Sequence, residues 1–162
     1  MKKDELAVLA QAILNEVEGY EFYTMAASNS KGESKDAFLQ LAEEEKKHAE
    51  YLRDLSDKLT NSDEEKLQFA YELNPPSPEI YKWEKLDVKE ASLAMTVFSI
   101  GMQMEKDAIK FYTEARDKTE VDELREIYQI LIKWEEVHLN EFTQQYNVYK
   151  NEWWAEQNFA PF

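Results

Sequence analysis

The chain carries only two histidines, and both sit in matching tetrads: Glu45-Lys46-Lys47-His48 and Glu135-Glu136-Val137-His138. Residues three apart are neighbours on one helix face, so each tetrad aims a carboxylate and an imidazole at one point. A second matched pair lies upstream, Glu16-Val17-Glu18-Gly19-Tyr20-Glu21-Phe22-Tyr23 and Glu105-Lys106-Asp107-Ala108-Ile109-Lys110-Phe111-Tyr112. Superposing the two Phe-Tyr pairs sets Glu16 on Glu105. The separations agree as well, 29 residues from Glu16 to Glu45 and 30 from Glu105 to Glu135. A helix with one Glu followed by a helix with Glu-x-x-His, given twice, is a ligand set for two metal ions inside a four-helix bundle. Oxygen and imidazole donors suit iron, manganese or zinc.

Such ligands must point inward, and an inward helix position has apolar neighbours at offsets of three, four and seven. Glu16 lies among Leu9, Ala12, Ile13, Tyr20 and Tyr23. Glu45 lies among Phe38, Leu41, Ala42, Ala49 and Leu52. Glu105 has Phe98, Gly101, Met102, Ile109 and Tyr112, and Glu135 has Tyr128, Leu131, Ile132, Leu139 and Phe142. His48 and His138 fall one turn further along the same faces. A carboxylate buried alone costs several kcal/mol (~20 by the idealised Born estimate), and four together would repel one another. Two divalent cations supply the four positive charges that offset them. Glu18, Glu21, Glu43, Glu44, Asp107 and Glu136 are rotated off these stripes and are expected to face water.

Four helices must position these groups. Helix A is expected over about 4–29, opened by Asp4 and stopped by Asn29-Ser30-Lys31-Gly32. Helix B follows Ser34 and ends near Leu59. The pattern then breaks to about Leu86, with a short helix expected over 63–72 and a stop at Asn74-Pro75-Pro76-Ser77-Pro78. Helix C follows Asp87 and runs to about Lys118; helix D follows Thr119 and ends between 145 and 150. The fold expected is all-α, an antiparallel four-helix bundle with a long crossover connection between helices B and C. Residues 1–150 form the bundle, and the aromatic tail 151–162 is expected to pack on it or on a partner subunit.

The 162 residues carry a formal net charge of -15 and no cysteine. Without Cys there are no disulfides, thiolate metal sites or Cys nucleophiles. So acidic a surface repels nucleic-acid phosphates and anionic membranes and draws cations. No stretch approaches the roughly 20 apolar residues of a membrane span, and Asp4, Glu5 and Glu16 interrupt any signal-peptide core. A cytoplasmic protein with no nucleic-acid or membrane partner is the reading.

These residues resemble the rubrerythrin-type di-iron domain of the ferritin-like superfamily. Glu16 with Tyr23, then Ala42-Glu43-Glu44-Glu45-Lys46-Lys47-His48-Ala49, is similar to that family's first hairpin. Glu105 with Tyr112, then Glu135 and His138, is similar to its second, and the likeness covers about residues 3–145. The resemblance implies that Glu45 and Glu135 bridge two metals, that Glu16 and Glu105 are terminal ligands, and that His48 and His138 bind one metal each. It departs from the family in two places. No Cys is present for a rubredoxin-like module, and Ala108 stands where an extra Glu would lie one turn beyond the helix-C ligand. The resulting four-Glu, two-His set is closer to bacterioferritin-like sites.

The resemblance implies a di-iron oxidoreductase in which ferrous iron reacts with O₂ or peroxide and an external electron donor restores it. Glu45 and Glu135 are the carboxylates closest to the chemistry, and two metal ions per chain, iron first and manganese or zinc otherwise, are the cofactors. A homodimer is the expected assembly. The alternative is an iron-handling protein, a ferroxidase or iron carrier, without an organic substrate. Hydroxylation of an organic substrate, or a bundle whose site is vestigial or holds zinc, are further readings.

Overall fold

The computed structural model describes residues 2–61 and 91–157. The chain forms an all-helical four-helix bundle: α1 (Lys2–Ser28), α2 (Gly32–Asn61), α3 (Ala91–Lys118) and α4 (Asp122–Glu156). The expected helix over 63–72 and the proline-rich stop lie outside the described residues.

The break between α1 and α2 is local chemistry. Ser30 Oγ and Asn29 Nδ2 donate to the Ala26 and Met25 carbonyls, both at 2.9 Å, and satisfy the end of α1. Gly32 then turns the chain with a φ of 58°, a left-handed conformation that costs glycine nothing. The α3–α4 turn is held by Thr119, whose hydroxyl accepts from the Val121 N–H at 3.2 Å and donates to Glu5 Oε1 at 2.5 Å. Thr119 therefore ties the turn to the start of α1.

Side-chain pairings fix the helix directions. Glu16 meets Tyr112 while Tyr23 meets Glu105, so α1 and α3 are antiparallel. His48 meets Trp134 while Glu44 meets His138, so α2 and α4 are antiparallel too. Both hairpins are antiparallel by construction, which leaves α2 parallel to α3 across the bundle. Asn61 and Ala91 therefore lie at opposite ends, which is what a long crossover between the second and third helices requires.

The core comes in two apolar blocks. Leu9, Leu52, Leu55, Tyr112, Leu124 and Tyr128 belong to one. Tyr23, Phe38, Leu41, Phe98, Phe142 and Tyr149 belong to the other. The expected stripes of α2 and α4 lie almost wholly inside them. Helix α4 runs past the expected end at 145–150 and reaches Glu156. Phe142, Tyr146, Tyr149 and Trp153 extend its inner stripe at helical spacing. Tyr149 is buried and stacks on Phe98 with centroids 6.1 Å apart. The Gln157 N–H donates to the Trp153 carbonyl at 3.1 Å and finishes the helix. Trp153 and Trp154, expected in the tail, are thus part of α4 and meet edge to face at 5.3 Å. Among the described residues, no helix is long and apolar enough to cross a membrane.

Candidate metal centre

Between the two apolar blocks lies a layer of buried charge. Glu16, Glu45, His48, Glu105, Glu135 and His138 are all buried, one Glu each from α1 and α3 and one Glu-x-x-His each from α2 and α4. All six expected ligands are brought together. Glu16, His48 and Glu135 form one group and Glu45, Glu105 and His138 another; in each, one donor atom per residue lies within 4.8 Å of the others.

The imidazoles present the same edge to the carboxylates. His48 Nδ1 is 3.3 Å from Glu16 Oε2 and 3.8 Å from Glu45 Oε2. His138 Nδ1 is 3.3 Å from Glu135 Oε2, 3.7 Å from Glu105 Oε1 and 4.0 Å from Glu45 Oε1. Glu45 faces both rings. A close backbone makes room for it. A Cβ on Gly19 would stand 3.2 Å from Glu45 Cγ and 3.3 Å from its Cδ, so glycine lets α1 pass directly over that side chain.

The two helices without histidine exchange hydroxyls. Tyr23, seven residues after Glu16, donates to Glu105 Oε1 at 3.3 Å. Tyr112, seven residues after Glu105, donates to Glu16 Oε1 in a short hydrogen bond. Each outer carboxylate is thus oriented by a tyrosine from the opposite hairpin. Burial, followed by the surrounding carboxylates, pushes both hydroxyls well above the ordinary tyrosine range, so both remain protonated donors.

Electrostatically the layer is over-supplied with negative charge. Burial first, then repulsion from Glu16, Glu105 and Glu135, raises the Glu45 carboxyl well above its usual value. Glu105 is raised by burial and then by Glu135. Burial alone would raise Glu16 as well, but its contacts with His48 and the Tyr112 hydroxyl outweigh it and hold the carboxyl low. Burial pulls the His138 imidazole down, while Glu135, Glu44 and Glu105 together hold it well above the ordinary range.

Both Glu135 oxygens and His138 Nδ1 are buried with no hydrogen-bond partner among the described residues. Uncompensated groups of this kind cost about 1–3 kcal/mol each, and more when charged. They are the donor types of a hard-cation site and they converge on one place. The chain's residues therefore fit two metal ions.

Two neighbours of these six residues were not legible from the stripes. Glu44 was expected in water; it is buried at 4% exposure, with Oε1 3.2 Å from His138 Nε2. It lies about 100° around α2 from Glu45, and α4 covers that side. Trp134, one residue before Glu135, is buried and stacks on His48. The shared offset, one residue before each Glu-x-x-His, is the signal that could have exposed both. Glu18, Glu21, Glu43, Asp107 and Glu136 are exposed, as expected.

Compared with known proteins, residues 7–146 match the family model described as Rubrerythrin. No match was found among curated proteins or among solved structures.

Proposed function

Since the chain belongs to the rubrerythrin family, we propose that its buried cluster binds two metal ions, iron first, and serves a di-iron oxidoreductase reacting with O₂ or peroxide. The observation that carries this reading is the convergence of four buried carboxylates and two imidazoles whose inward atoms include several with no hydrogen-bond partner among the described residues. Glu16 with His48 would hold one ion and Glu105 with His138 the other. Glu45 and Glu135, each of which joins one of the two groups, would lie between them.

Bound iron would supply single electrons and Lewis acidity at this buried site. The chain supplies the rest. Tyr23 and Tyr112 orient the outer carboxylates and keep their own protons. The apolar blocks above and below exclude water and keep the carboxylates in a low dielectric, where they interact strongly with cations. With no Cys in the sequence, the electrons come from an external donor. A homodimer is the assembly proposed, with residues 151–162 as its tail, the first of them already helical in α4.

The test is anaerobic loading with Fe²⁺ followed by rapid mixing with O₂ or hydrogen peroxide, with absorbance and residual oxidant followed together. Oxidant consumption by the loaded protein at a rate well above that of free Fe²⁺, repeated on adding a reductant, supports the reading. Equal rates with and without protein sink it. Oxidation that stops after one turnover in the presence of reductant favours iron handling instead.

A further inference from the structure

The two tetrads differ in the residue just before them, Glu44 ahead of Glu45 and Trp134 ahead of Glu135. Each of these residues reaches from its helix to the imidazole of the other tetrad. Glu44 Oε1 lies 3.2 Å from His138 Nε2. The Trp134 ring instead stacks on His48, centroids 4.8 Å apart and planes 16° apart. The positions correspond, but one offers a carboxylate oxygen close to a ring nitrogen and the other offers a π face.

The difference bears on metal binding. An imidazole that binds a metal through Nδ1 carries its remaining proton on Nε2. An acceptor for that N–H fixes the tautomer, aims the ring and raises the basicity of the metal-bound nitrogen. His138 has a carboxylate at that place. Neither Nε2 makes an aligned hydrogen bond among the described residues, but a carboxylate oxygen already stands 3.2 Å from that of His138, whereas the fully buried His48 ring is covered by the face of Trp134. Binding through Nδ1 there leaves a buried N–H without an acceptor, which is costly.

We propose that the two metal positions are unequal, the Glu105–His138 position filling first and the Glu16–His48 position second, because Glu44 backs one imidazole and Trp134 the other. This rests on the cluster binding two ions, as proposed above. Glu44 acts as a positioning residue through His138. Its loss removes the advantage of the first position, and by the usual effect of such outer partners weakens that ion by about 10–100-fold.

The chain has two histidines in all, so the order of filling can be read directly. Metal-free protein with ¹⁵N-labelled histidine is titrated with Zn²⁺ and the imidazole resonances, assigned through their backbone, are followed by NMR. The first equivalent is expected to move His138 and leave His48 largely in place; the second moves His48. Both moving together, or His48 moving first, overturns the proposal. If neither ring responds at two equivalents, the di-metal reading itself has failed, a result distinct from the other two. In Glu44→Leu, the His138 Nε2–H resonance should shift upfield. Competition with a chelating indicator should show the first Zn²⁺ weakened about 10–100-fold and the order lost. An unchanged order in a folded Glu44→Leu protein also overturns it.

Discussion

The Tyr112 hydroxyl on α3 donates to the Glu16 carboxylate on α1, and it does so between hairpins rather than within one. Glu16 is the carboxylate of the cluster held low, so it is a charged acceptor in the absence of metal. Hydrogen bonds to charged groups contribute about 1.5–3 kcal/mol. Tyr112→Phe should therefore lower the unfolding free energy of the metal-free protein by about that amount. Urea denaturation with an unchanged slope and a lower midpoint is the expected result; an unchanged midpoint contradicts it.

Metal-free and metal-loaded protein should respond to pH in opposite directions. Glu45 and Glu105 have native pKa values raised above the ordinary 4.5, and His138 is raised above 6.5. From about pH 5 upward the unfolded chain releases carboxyl protons that the native protein retains, so metal-free stability falls as pH rises. His138 adds to this fall above pH 6.5. Metal binding needs the same groups deprotonated and strengthens with pH. Thermal unfolding at pH 5.5 and 8 should show Tm falling without metal and rising with saturating Zn²⁺. Parallel trends would refute the charge assignment.

Gly19→Ala should separate folding from metal binding. Alanine gains about 0.5–1 kcal/mol over glycine inside a helix, yet its Cβ would lie 3.2 Å from Glu45 Cγ. The Glu45 side chain must shift by a few tenths of an ångström. The metal-free variant is expected to melt no lower than the parent while binding Zn²⁺ more weakly, as measured by chelator competition. Unchanged affinity would mean that Glu45 is not held against α1 when metal is bound.

Glu5 offers a control away from the buried cluster. It is buried and accepts from Thr119 at 2.5 Å and from Tyr128 at 3.4 Å. It lies three turns before Glu16 on α1. Glu5→Ala strands two buried hydroxyls, and each such loss costs about 1–3 kcal/mol. Stability should fall by that order while the metal stoichiometry stays the same; metal loss from a folded Glu5→Ala protein would contradict the separation.

The burial of Glu16, Glu45, His48, Glu105, Glu135 and His138 was legible because each breaks an apolar stripe at an inward position. Their repeat also exposed the pairing of Glu16 with Glu105 and of the two tetrads. Glu44 was hidden by its neighbours. In the run Glu43-Glu44-Glu45 all three side chains are alike, and only α4, packed on α2 from the side, decides that the middle one is buried. Trp134 was hidden for the same reason, because a stripe records what faces the hairpin partner and not what faces the helix beyond. Composition points to an earlier end for α4, because the aromatic cluster from Trp153 onward suggests a separate tail, but Tyr146, Tyr149 and Trp153 keep the helical period and the helix reaches Glu156. The links Glu5–Thr119 and Glu5–Tyr128 join residues more than 110 positions apart, and nothing local announces them.

The most direct test is the number of metal ions held by the folded chain. Anaerobic equilibrium dialysis against Fe²⁺, followed by elemental analysis, should give two ions per chain for the parent and for Glu43→Ala, whose side chain faces water. Glu45→Ala and Glu135→Ala should each fall below two while remaining helical by circular dichroism. A parent that binds fewer than two ions, or two ions retained when Glu45 and Glu135 are both removed, contradicts the account.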